Sequence, residues 1–105
     1  MQVIVHLIEL HSGIDPAAFE HWVRTVDYAT CPQLPSVRAF SVQRADDAVG
    51  EPRHYFEIIQ VTSRADFEAD MRTPAFAELV SAFDTMASVV REFAGVRLDP
   101  GYSAT

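Results

Sequence analysis

The run Gln2–Leu10 constrains this chain more than any other stretch, because it is apolar on both faces of a strand. Side chains alternate sides along a strand. Val3, Val5 and Leu7 therefore fall on one face and Ile4, Ile8 and Leu10 on the other, with His6 and Glu9 as polar interruptions. Such a strand belongs inside a layered structure, with helices over one face and a second cover over the other.

The following residues supply the helices. Ser12–Gly13 is a turn signal, Asp15 reads as an N-cap, and Pro16 suits the first helical position, where a missing N–H costs nothing. Phe19, Trp22, Val23 and Val26 recur at i, i+3, i+4 and i+7 as one apolar stripe, while Glu20 and Arg24 pair at i, i+4 on the outside. Pro32 and Pro35 cannot continue that helix and make the segment from Thr30 to Pro35 a connector. Strand two reads as Ser36–Arg44 and strand three as His54–Val61. Between them Asp46, Asp47, Gly50, Glu51 and Pro52 form a polar turn-forming set, so the two strands are expected to make a hairpin. Ser63 and Asp66 have capping-box spacing and start a second helix, which Pro74 interrupts or kinks before Phe76, Leu79, Val80 and Phe83 restore an apolar stripe.

The segment Met86–Leu98 fits either a prolonged second helix or a fourth strand. The strand reading completes a β-α-β-β-α-β order, whereas three strands would leave an edge unpaired. The expected fold is α+β: a ferredoxin-like, four-stranded antiparallel sheet with two helices on one face. The other face then calls for a second copy, sheet against sheet, across a two-fold axis. Strands two and three fit this in part, with Phe40, Val42, Phe56 and Ile58 on one parity and Val37, Ala39, Tyr55, Ile59 and Val61 on the other.

Composition narrows the partners. With 105 residues the chain is expected to be a single domain over its whole length, and 49% hydrophobic against 22% charged residues excludes a disordered chain. A net charge of −7, from 15 acidic and 8 basic residues, opposes nucleic acid and anionic membrane surfaces. No apolar run approaches the roughly 20 residues of a bilayer span, and the N-terminus lacks the basic and apolar regions of a signal peptide, so a cytoplasmic protein is expected. One cysteine, Cys31, excludes an intrachain disulfide.

No Gly-rich phosphate loop, His-Glu-x-x-His, paired-cysteine motif or Gly-x-Ser-x-Gly occurs, and His6, His11, His21 and His54 lack metal-ligand spacing, so neither a metal nor a bound cofactor is expected. Chemistry is left to polar residues set in apolar surroundings. His6 stands between Val5 and Leu7, and Glu57 between Phe56 and Ile58. Each is either satisfied by a structural partner, Arg38 or Arg91 in the case of Glu57, or kept for acid–base work. Arg38 could instead orient an acidic or carbonyl-bearing ligand. At the end of helix one, Asp27 could accept a proton, Tyr28 could donate a hydrogen bond, and Trp22 could wall a pocket. Phe40, Phe56 and Phe83 are the further candidate walls, and Cys31 a pocket residue with nothing nearby in sequence to activate it as a nucleophile.

The pattern Phe19-Glu20-x-Trp22-Val23-Arg24-x-x-Asp27-Tyr28-x-Thr30-Cys31-Pro32-x-Leu34-Pro35-Ser36-Val37-x-x-Phe40-x-Val42-x-Arg44 resembles the RedY-like proteins of gene clusters for prodiginine and related pyrrole or indole natural products. The resemblance runs from helix one through strand two. It implies a dimeric α+β barrel, the fold of cofactor-independent monooxygenases, muconolactone isomerase-like and ethyl tert-butyl ether-degradation-type proteins. It also implies a role in specialised metabolism on a small aromatic intermediate, without fixing the reaction. Three readings follow: a cofactor-free acid–base tailoring enzyme, a non-catalytic protein that protects a reactive intermediate, and a cofactor-free monooxygenase.

Overall fold

The computed structural model describes residues 1–46 and 54–104. Its sheet has the antiparallel order β2-β3-β1-β4, built from β1 (Gln2–Leu10), β2 (Val37–Arg44), β3 (His54–Val61) and β4 (Ala87–Val96). This is the α+β ferredoxin-like arrangement, and the Met86–Leu98 segment takes the strand alternative. The strand pairing expected of a hairpin is present between β2 and β3; the turn expected at Ala45–Pro52 lies mostly outside the described residues.

Among the described residues the α-helices in chain order are α1 (Pro16–Trp22), α2 (Tyr28–Thr30), α3 (Arg64–Asp70) and α4 (Pro74–Asp84). Asp15 caps α1 by accepting from the Ala17 N–H at 3.0 Å. Ser63 caps α3 by accepting from the Asp66 N–H at 3.0 Å. Pro74 divides the expected second helix in two. Its ring occupies the first position of α4, and Thr73 is the new N-cap.

The face of β1 that carries Ile4, Ile8 and Leu10 is fully covered by the helices, and two apolar clusters form there. Ile8 and Leu10 pack with Phe19 and Val23 at the α1 end, while Ile4 packs with Ile59, Val61 and Phe67 at the α3 end. His6 lies between Ile4 and Ile8 on the same face, where the two clusters meet. The opposite face keeps Val3, Val5 and Leu7 partly exposed, and Phe93, which pairs with Val5, is 46% exposed.

Two registers differ from simple alternation. Phe40 pairs with Ile59, and Phe56 pairs with Leu7 on one side and Gln43 on the other. Beyond the bulge the helix face is thus even-numbered on β2 and odd-numbered on β3, so the shared numerical parity of Phe40 and Phe56 places them on opposite faces. A bulge between Val37 and Ala39 leaves Arg38 unpaired in the ladder of edge strand β2.

The connector into β2 is anchored by a contact that periodicity does not show. Buried Asp70, the last residue of α3, accepts from the backbone N–H of buried Ser36 at 2.8 Å and from its hydroxyl. A carboxylate that accepts two donors fills the needs of polar groups that have no access to water.

Candidate functional site

Between α1 and β2 the helix does not stay regular. Val23–Asp27 forms a π turn, in which the Tyr28 N–H reaches the Val23 carbonyl five residues back. The wider turn shifts the side-chain register by about one residue. Val26, expected to complete the apolar stripe, is turned out and 42% exposed, and Asp27 is turned in. The irregular turn is what brings a carboxyl to the sheet.

Asp27 lines a cavity of about 330 Å³ between the sheet and the helices. Trp22, Phe40, Phe76, Leu79, Val80 and Phe83 supply much of its apolar wall. The stripe expected on the second helix therefore faces this cavity. Phe83 and Trp22 also pack on Phe19, with ring centroids 6.3 and 6.2 Å apart.

One row of polar side chains crosses the cavity floor. His6 pairs in register with Glu57 on β3 and with Glu92 on β4. Directly opposed residues on neighbouring strands hold their side chains side by side. Glu57 Oε1 lies 2.7 Å from His6 Nδ1, and Glu92 Oε2 lies 2.7 Å from His6 Nε2. Burial, the largest single influence on His6, lowers its proton affinity, but the hydrogen bonds and charges of the two carboxylates together reverse this and leave its pKa raised. Arg64, at the start of α3, reaches the other oxygen of Glu92 at 3.3 Å.

Asp27 has no partner of this kind. Among the described residues nothing hydrogen-bonds to its carboxyl group. Burial first, and the negative charge of Glu57 second, push its pKa up to about 7. Cys31 also lines the cavity and lies 3.6 Å from the Asp27 carbonyl oxygen; burial and the neighbouring Asp27 push its thiol up, against a role as nucleophile.

The site residues expected from sequence are divided by the structure. His6, Glu57, Asp27, Trp22, Cys31, Phe40 and Phe83 meet in the cavity. Three do not. Tyr28 stands outside the cavity on the edge of the sheet, where its ring packs edge-on against Phe40 at 5.7 Å and its hydroxyl accepts from the Val42 N–H at 3.0 Å. That hydroxyl satisfies a backbone donor on edge strand β2. Arg38 projects from the bulge into a separate exposed groove, away from Glu57, whose partner is His6. Phe56 lies on the far face of the sheet, where it pairs with Leu7. Arg91, the other expected partner of Glu57, instead covers the Phe93 ring at 4.6 Å.

Sequence reasoning missed Glu92 and Arg64. Glu92 carries a weaker signal than His6 and Glu57, because its neighbours are Arg91 and Phe93, and it becomes readable only once β4 is a strand. Among the described residues no group of three or more His, Cys, Asp or Glu side chains is arranged to hold a metal ion, and both nitrogens of His6 are already engaged by carboxylates. No described helix is long and apolar enough to cross a membrane.

Comparison with known proteins places this architecture. HapK from Hahella chejuensis is 53% identical over 100% of both chains, with a TM-score of 0.89. SnoaB from Streptomyces nogalater, a cofactor-independent oxygenase, is 17% identical over 94% of both chains with a TM-score of 0.76, which is a likeness of fold. An ethyl tert-butyl ether d (ethd) family protein from Bacillus halodurans is 14% identical over 93% of this chain and 100% of its own, with a TM-score of 0.63. No curated protein matches the chain. The model of the family described as REDY-like protein HapK matches residues 2–98, and the chain belongs to that family.

Proposed function

We propose that this chain is a cytoplasmic, homodimeric tailoring enzyme of specialised metabolism, which holds a small aromatic pyrrole- or indole-type intermediate in the cavity and moves a proton without a bound cofactor. The observation that carries this reading is the open carboxyl of Asp27 in an apolar cavity, with a pKa of about 7. A base is most effective when its pKa lies near the working pH. The cavity volume is at the small end of the range for ligand pockets, about 300 to 1,000 Å³, and suits a ligand of one or two rings.

The roles divide by geometry. Asp27 takes or returns the proton, because its carboxyl has no hydrogen-bond partner among the described residues and is sheltered in the wall, whereas Asp84, which also lines the cavity, is exposed. His6, held between Glu57 and Glu92, presents a fixed charge beside the reacting atoms. Trp22, Phe40 and Phe83 wall the ligand and exclude water. The dimer reading is supported by the far face, where Val3, Val5, Leu7, Phe56, Ile58 and Phe93 need a cover that the helices cannot give.

Deleting the gene and identifying the accumulated compound by mass spectrometry supplies the substrate. Incubated with the protein, that compound is converted, and Asp27→Asn slows conversion by about 10²- to 10⁴-fold, the usual worth of a positioned acid–base group, while binding persists. Equal conversion by wild type, Asp27→Asn and His6→Gln leaves a binding and protecting role instead. Conversion that stops without dioxygen makes the protein an oxygenase.

A further inference from the structure

His6 is a poor proton shuttle as it stands, because both ring nitrogens are tied to carboxylates. The two ties differ. Glu57 is 13% exposed and reaches His6 from central strand β3, whereas Glu92 is 44% exposed, lies on edge strand β4, and is shared with a cation from the helical layer. Arg64 contacts Glu92 Oε1 at 3.3 Å through Nη2 and Glu68 Oε1 at 3.6 Å through Nε. Glu92 therefore joins the sheet row to α3 at the exposed end of the cavity, and among the described residues it is what ties His6 to the helical layer.

We propose that Glu92, clamped from outside by Arg64, is the positioning residue of this site, which closes His6 Nε2 off from the ligand and holds the ring as an imidazolium. The proposal rests on the cavity being the functional site, but its geometry is independent of which reaction runs there. With both carboxylates ionised, the ring satisfies both contacts only by donating from both nitrogens. A neutral ring has one proton and must leave one carboxylate without a donor. The charged groups that face His6 or share its cavity are Glu57 on β3, Glu92 on β4, Asp27 in the π turn, Arg64 on α3 and Asp84 at the end of α4. The negative charges outnumber Arg64, so the balance favours a cationic ring. Glu92 is also the tie most easily changed, since its exposed carboxylate has a second cation within reach.

The test needs no substrate. Nitrogen-15 shifts of the His6 ring in the wild-type protein at pH 7 are expected to show both nitrogens protonated; a neutral tautomer overturns the proposal. Glu92→Gln keeps an acceptor at the same place but removes its charge, and is expected to lower the proton affinity of His6 by tenfold or more, in keeping with the loss of an adjacent opposite charge. An unchanged His6 titration in a folded Glu92→Gln protein overturns it equally. Arg64→Gln is expected to move the His6 midpoint when Glu92 is present and to have little effect in the Glu92→Gln background, because Arg64 acts through Glu92. The same shift in both backgrounds rejects the clamp. Failure to convert any substrate, with the His6 results as expected, rejects the enzymatic reading alone.

Discussion

Asp27 is the residue on which charge and position disagree most, and the disagreement is measurable as stability. Its folded pKa of about 7 exceeds the ordinary carboxylate value, so the folded protein holds this proton more tightly than the unfolded chain does. Between about pH 4 and pH 7 the unfolded chain releases the proton first. The contribution of Asp27 therefore turns increasingly unfavourable as pH rises through this window. Asp27→Asn is expected to melt close to the wild type at pH 4 and at a higher temperature than the wild type at pH 8, by thermal unfolding followed by circular dichroism. A variant that is equally or less stable at pH 8 shows that Asp27 is ionised without strain. His6 and Glu57 were legible in the sequence because a polar residue in the middle of an apolar strand stands out. The inward turn of Asp27 was not, since regular helical spacing assigns that place to Val26.

The elements themselves were legible wherever a terminus carries its own chemistry. Asp15-Pro16, Ser63 and Pro74 each mark a helix start because the cap or the missing N–H is a local matter, settled by neighbours in sequence. The π turn and the bulge at Arg38 were not, because each inserts a residue relative to a regular ladder and only tertiary packing decides where. The same holds for Ser36 and Asp70, which are 34 positions apart in the chain and meet only after α3 packs. Replacing Asp70 with Ala strands the buried N–H and hydroxyl of Ser36. The cost is expected to be on the order of 3 kcal/mol in urea unfolding, since each buried unsatisfied donor costs about 1 to 3 kcal/mol. Ser36→Ala removes only the hydroxyl and is expected to cost less. A ranking in the reverse order places the anchor elsewhere. A second element-level contact bears on acid stability: Arg44 first, with Tyr55, holds Glu20 down to about 2. A depressed carboxylate stabilises the fold above its unfolded pKa and loses that contribution as pH falls through its folded value. Glu20→Gln is accordingly expected to narrow the difference in melting temperature from wild type as the pH is lowered from 5 to 2. A constant difference across that range assigns the contact no role in acid stability.

At the scale of the molecule, the helices account for one face of the sheet, and the proposed dimer rests on the far face. Leu7 lies on central strand β1, flanked in register by Phe56 on β3 and Arg91 on β4, with Val5 and Phe93 one pair along. Across a two-fold axis, residues near that axis meet their own copies, so one substitution acts twice. Leu7→Glu places two carboxylates in an apolar contact, and Arg91, the cation that pairs with position 7 on β4, is engaged over the Phe93 ring. The cost of burying unpaired charges exceeds what a standard interface of about 800 Å² per partner can absorb without dissociation. Sedimentation at micromolar concentration is expected to give a dimer for the wild type and a monomer for Leu7→Glu. The cavity lies on the other side of the sheet, between β1 and the helices, so the His6 titration is expected to survive in the monomer. A wild type that sediments as a monomer removes the dimer and leaves the cavity reading standing. A Leu7→Glu dimer shows that the two copies meet through some other surface.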